Sequence, residues 1–236
     1  ITLRVDGLTR VFGALIAFLW PLATLYAFEY MEAEGRENTF FAYYLMSYGV
    51  TAGIALSGNL FTLYAFYELL TLVTLPLVLH KLDTTSIHAS RTYLYYSISG
   101  AALAFIGMIF VLTYGTNPTT EFVYGGMLDM ARVADKKDLL LAVFLMSFVG
   151  FGVKAALFPV HAWLPTVSVA PTPVTALLHA VAVVKAGAFA IIRIIYYTFG
   201  TDFLYGTWAQ YAAMGLAMFT IVFGSVMAVK EQHFKR

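Results

Sequence analysis

Between Asn38 and Tyr67, thirty consecutive residues carry no charge. About 20 apolar residues cross the hydrocarbon core of a bilayer as a helix. The run is therefore too long for one crossing and too apolar for a water-facing surface. Comparable runs recur along the 236-residue chain, which is 61% hydrophobic and only 11% charged, against about 25% charged in soluble domains. Lipid is the solvent that suits such a chain. Backbone groups in lipid must be bonded internally, which leaves helices or a closed barrel, and these runs lack the two-residue alternation of a barrel. The expected fold is all-α, a polytopic transmembrane helix bundle of about seven spans.

The spans are read at residues 11–28, 39–56, 60–79, 92–114, 139–160, 172–197 and 205–229. Pro21 is a kink candidate in the first. The turn chemistry of Ser57, Gly58 and Asn59 separates the second from the third. Residues 29–37 and 80–91 read as polar connectors. Residues 115–138 read as a solvent-exposed loop holding a short surface helix within 122–135. Basic residues divide almost evenly between the two sides, with Arg4, Arg10, Arg132, Lys136 and Lys137 opposite Arg36, Lys81, Arg91, Lys230, Lys235 and Arg236. Loop charge therefore does not orient the bundle.

Against this background the ionisable residues inside the spans stand out. An ammonium at the bilayer centre costs about 2.5–3.5 kcal/mol even on the lenient insertion scale, so such groups mark ion paths or pair with a counter-charge. Glu68 lies near the middle of the third span. Lys154 lies in the fifth, five residues before Pro159, whose ring removes the hydrogen bond to the Ala155 carbonyl; the helix is expected to loosen one residue past the lysine. His179 and Lys185 share the sixth span. Six residues put them about 120° apart around an ideal helix, so contact between them needs a water or a bulge near Ala186 and Gly187. Arg91 is read as a loop charge or a partner for Glu68. His161 and Trp163 are assigned to the membrane interface, and Arg193 to snorkelling or lipid phosphate. The tyrosines of the second to fourth spans, Tyr93 among them, are read as packing residues, a few of which order water beside Glu68. For each buried charge a structural reading, simple pairing or packing between helices, stands beside the functional one.

With no cysteine in the chain, thiolate metal sites, iron–sulfur ligation and disulfides are excluded. The histidines have no carboxylate cluster at ligand spacing, so no metal site is expected, and no cofactor. A net charge of +1 gives no sign of a nucleic-acid partner. The chain begins with Ile and ends on KEQHFKR directly after an apolar run; both ends read as cut, and the chain is expected to be a piece of something longer.

The run from Lys154 through PVHAWLP, APTPVTALLHA and VVKAGAFAIIR, together with LRVDGLTRVF and YAFYELLTLVTLPLV, resembles the antiporter-like membrane subunits of respiratory complex I, membrane-bound hydrogenases and multisubunit cation/proton (Mrp-type) antiporters. The resemblance implies one transmembrane domain over residues 1–236, corresponding to the third to ninth of about fourteen helices. That is one of two inverted bundles, with discontinuous helices near Lys154 and Lys185. It places Glu68 at the family's glutamate, Lys154 at its broken-helix lysine, and His179 and Lys185 at the basic positions of the next helix. Arg91 is a weaker match. It also puts the Lys81 and Lys230 side in the cytoplasm and the chain in the cell (inner) membrane. Its expected partners are other membrane subunits, the bilayer and, for a redox pump, peripheral redox subunits. The implied function is proton or Na⁺/H⁺ translocation through a Glu68–Lys154–His179/Lys185 relay, with a non-pumping scaffold as the alternative.

Overall fold

A computed structural model describes residues 1–116 and 120–232. Its chain is 79% helical and forms no strands among the described residues. Among the described residues, seven long helices carry the architecture: α1 Gly7–Glu34, α2 Glu37–Ala55, α3 Leu60–Val78, α4 Thr84–Tyr114, α5 Lys137–Gly152, α6 Thr172–Phe199 and α7 Trp208–Lys230. Four begin at a side chain that accepts from the first turn: Asp6 from the Thr9 amide, Asn59 from Thr62, Asp83 from Ser86 and Thr207 from Gln210. Each such oxygen satisfies one of the amides a helix start leaves unpaired.

Five of these helices, α1, α3, α4, α6 and α7, are long and apolar enough to cross a membrane. The other two expected spans fall short for different reasons. The 19 residues of α2 include Tyr43, Tyr44, Ser47, Tyr48 and Thr51, which lower its hydropathy. The helical part of α5 is only 16 residues, and a series of turns continues it to residue 162.

Two boundaries differ from the sequence reading. The cap at Asp83 starts α4 eight residues early, so Arg91 sits on a helix rather than in a connector. The 115–138 segment is not simply solvent-exposed, because Phe122, Met127, Leu128 and Val133 are buried. Its backbone docks on the end of α6, the Gly125 amide donating to the Tyr196 carbonyl (3.0 Å) and the Met127 amide to Thr198 (2.9 Å). Its short helix, Met130–Val133, lies within the expected window.

The core lies where α3, α4, α5 and α6 meet. Small residues bring α4 and α5 into backbone contact: a Cβ on Gly100 would stand 2.7 Å from the Gly150 carbonyl oxygen, and one on Gly150 equally close to that of Gly100. In lipid, where apolar surface has no drive to leave its solvent, such close approach is what holds helices together. At the other extreme, α7 buries 6% of its central window against 56% for α6.

Candidate functional site: a buried lysine at a broken helix

The fifth helix ends where the sequence places its charge. Ala156 adopts a left-handed φ of 56°, the Leu157 amide donates to the Gly152 carbonyl (2.9 Å) and the Ala156 amide to the Val153 carbonyl (3.0 Å). This pair of bonds around a left-handed residue is a Schellman terminus. The regular α-helical stretch ends at Gly152, and the capping turn carries the chain through Lys154 to a C-cap at Ala155, one residue past the lysine, where the sequence places the break. The break comes from the left-handed turn.

Breaking a helix inside lipid strands carbonyls, each costly unless paired. Two side chains bond carbonyls at this end, the second adding to the bond the Val153 carbonyl already accepts from the Ala156 amide. The Tyr67 hydroxyl donates to the Phe151 carbonyl (2.8 Å) and the Trp163 indole Nε1 to that of Val153 (2.7 Å). Trp163, 1% exposed, is thus an interior residue and not part of an interfacial belt.

Lys154 is itself 1% exposed. Its Nζ donates to the backbone carbonyl of Tyr67 and lies 3.6 Å from the centroid of the same residue's ring. A cation over an aromatic face and beside a helix C-terminus is favourably placed on both counts. Glu68 follows Tyr67 on α3 and is half-buried. The charges of Glu68 and Lys154 interact, yet no direct ion pair joins them among the described residues. Glu68 Oε1 is buried without a hydrogen-bond partner.

The remaining sequence candidates are distributed unequally. His179 stands on a π-helical turn, Leu177–Val181, with its ring held by the Leu164 backbone and Nε2 buried without a partner. It lines a cavity of about 310 Å³ together with His161, Phe158, Thr220, Phe223 and Glu231. His161, read as interfacial, therefore faces the same cavity as His179, and its Nδ1 is likewise buried and unpartnered. Lys185 lies on the exposed side of α6. The irregularities of α6 fall at Leu177–Val181, Ala182 and Arg193–Phe199 rather than at Ala186 and Gly187. Arg91 is exposed and makes no ion pair with Glu68 among the described residues.

Arg193 departs furthest from its reading. It is 1% exposed, pairs with Asp6 at 2.5 Å, donates to the Thr9 hydroxyl at 3.2 Å, and is surrounded by the rings of Phe122, Phe189 and Tyr197. It neither snorkels nor reaches lipid phosphate; it ties the start of α1 to the end of α6. Burial works against the Asp6 charge, but the Arg193 guanidinium and the Thr9 amide outweigh it and hold the carboxyl below its ordinary range.

Residues 57–236 match the NADH:quinone oxidoreductase/Mrp antiporter transmembrane family. The chain belongs to that family. Among its family relatives, a Na⁺/H⁺ antiporter subunit from Alkalihalophilus pseudofirmus is 31% identical over 99% of this chain and 28% of its own length. A probable K⁺/H⁺ antiporter subunit from Rhizobium meliloti is 32% identical over 99% of this chain and 23% of its own. The chain thus spans about a quarter of the length of these antiporter proteins. The fold recurs in the Mrp complex from a Dietzia species, with a TM-score of 0.81 and 23% identity over 99% of this chain and 25% of that one. It recurs again in an archaeal membrane-bound sulfane sulfur reductase, with a TM-score of 0.80 and 22% identity over 99% and 46%. Family and apolar helices together make this a polytopic membrane chain, consistent with a bacterial inner membrane.

Proposed function

We propose that this chain forms one of two inverted bundles in the ion-translocating membrane subunit of a multisubunit cation/proton antiporter, and that protons cross it through a relay centred on Glu68 and Lys154. One observation carries the reading. The Lys154 ammonium is enclosed in an apolar bundle at a helix break, with a carboxyl group in electrostatic range but no permanent counter-ion in contact among the described residues. Approach of the carboxylate favours the ammonium, and its withdrawal favours the neutral amine. A swing of one pKa unit is about 1.4 kcal/mol, so a small displacement of Glu68 suffices to move a proton.

In this scheme His179, which lines a cavity with His161, takes the released proton at its unpartnered Nε2. Lys185 points outward, so its role is to exchange protons with whatever membrane segment covers that face. Arg91 is too exposed for more than a field effect on the site. The two antiporter relatives, at 31 and 32% identity, support cation exchange with other membrane subunits as partners; the likeness to a redox complex carries the fold alone.

The test is proton movement in everted vesicles holding the assembled complex. Lys154→Ala and Glu68→Gln are each expected to abolish exchange while assembly is retained. Normal exchange in either variant rejects the relay. A scaffold in which buried charges merely pair predicts that the swap of Glu68→Lys with Lys154→Glu restores function, whereas a directional relay predicts assembly without transport.

A further inference from the structure

Among the described residues no carboxylate pairs directly with Lys154, whose ammonium meets α3 at Tyr67 instead. Its Nζ donates to the Tyr67 carbonyl and sits over the ring of the same residue, 3.6 Å from the centroid. An aromatic face attracts an ammonium out to about 6 Å, most strongly where water is excluded. Both residues are 1% exposed.

The tip of that ring is tied to the helix that bears the lysine. The Tyr67 hydroxyl donates at 2.8 Å to the carbonyl of Phe151, three residues before Lys154. The Phe151 ring meets the Tyr67 ring edge-on, with centroids 5.0 Å apart and planes at 78°. The aromatic face is therefore rooted in α3 and anchored at its far end to α5. Two uncharged groups, a ring and a carbonyl, hold the ammonium one residue away from the carboxyl that attracts it. Consecutive residues point about 100° apart around a helix, so Lys154 must leave the Tyr67 face to meet Glu68. Of the titratable groups, Glu68 on α3 and Tyr93 on α4 act on Tyr67 and Lys154; where α6 packs on the Lys154 backbone it presents Gly187.

We propose that Tyr67 is a positioning residue for proton transfer, the seat on which protonated Lys154 rests while the Glu68 carboxylate is withdrawn. The inference rests on the relay reading given above. A ring face attracts an ammonium and not a neutral amine, so the seat favours the protonated form when the carboxylate does not. Tyr67 then sets the pH at which the lysine gives up its proton. Its hydroxyl keeps the ring under the ammonium by holding it to α5.

Two variants separate these parts. Tyr67→Leu removes the ring and keeps the backbone carbonyl; Tyr67→Phe keeps the ring and removes the bond to Phe151. The readout is the pH profile of antiport by the assembled complex in vesicles, with Lys154→Ala run in parallel. Tyr67→Leu is expected to move the profile about 1 pH unit toward acid, because the ammonium loses an attraction that the amine never had. Tyr67→Phe is expected to keep the wild-type profile and to lower the unfolding temperature of the complex. A wild-type profile in Tyr67→Leu, where Lys154→Ala abolishes antiport, overturns the seat and leaves the relay standing. A profile displaced as far in Tyr67→Phe as in Tyr67→Leu assigns the effect to the hydroxyl and overturns it as well. Normal antiport in Lys154→Ala removes the relay and the inference together. Should Tyr67→Leu fail to assemble, fluorinated phenylalanines in place of Tyr67 decide. Fluorine weakens the negative face of the ring with little change of shape, so each added fluorine should carry the profile further toward acid. A profile indifferent to fluorination overturns the seat.

Discussion

Gly187 on α6 packs directly against the backbone beside the buried lysine: a Cβ at this position would stand 2.4 Å from the Ala155 amide nitrogen and 2.8 Å from the Lys154 carbonyl carbon. The obstruction is backbone, which cannot swing aside as a side chain does. The broken end of α5 is thus seated on α6 by the absence of one methyl group, and the height of Lys154 relative to Glu68 depends on it.

Gly187→Ala is therefore expected to push the two helices apart at the lysine. Overpacking of this kind costs about 1–3 kcal/mol. Thermal unfolding of the purified complex should shift to lower temperature, and antiport should fall more than assembly does. Unaltered antiport in Gly187→Ala means that the spacing between α5 and α6 does not matter to the relay.

Ala156 makes the opposite prediction. A left-handed backbone costs an L-residue about 1–2 kcal/mol that glycine does not bear, offset by about 0.5–1 kcal/mol of extra chain entropy in glycine. Ala156→Gly, with its φ of 56°, should leave the Schellman turn intact and raise the unfolding temperature slightly. A fall in unfolding temperature argues against the left-handed terminus.

The Asp6–Arg193 pair should give the fold an acid-sensitive contribution. The folded Asp6 carboxyl is held below its ordinary value by Arg193 and the Thr9 amide, which outweigh its burial. Its stabilisation is then fully present above the unfolded carboxylate pKa of about 3.9 and is lost as pH falls through the lower folded value. Asp6→Asn should lower the unfolding temperature at pH 7, and the gap from wild type should close below about pH 3.9. A gap that does not change with pH means the carboxylate charge contributes nothing.

How much of this is legible in the sequence depends on the range of the interaction. Helices with a cap residue and an apolar run, such as α3 after Asn59, sit within a residue or two of their expected bounds. Asp83 caps its helix equally well, but the polar first turns after it, Thr84 to Arg91, imitate a connector. Lys154 and Glu68 stand out because a charge in an apolar run is conspicuous wherever it points. Direction is another matter. Lys185 and His179 differ in whether they face a cavity or the outside, and that follows from which helices pack on α6, through π-helical turns that no local pattern announces. The Asp6–Arg193 bond spans 187 positions, and nothing near either residue points to the other. His161 misleads because its neighbour Trp163 imitates an interfacial residue, whereas that indole is consumed by the Val153 carbonyl.

The most direct measurement is antiport by the assembled complex carrying Lys154→Arg. A guanidinium keeps the positive charge and the capacity to donate to the Tyr67 carbonyl, but it does not release its proton in a protein. If Lys154 works by taking up and giving back a proton, Lys154→Arg assembles and carries no antiport, as Lys154→Ala does. Antiport near the wild-type rate in Lys154→Arg would show that only the charge is needed, and the relay account would be wrong.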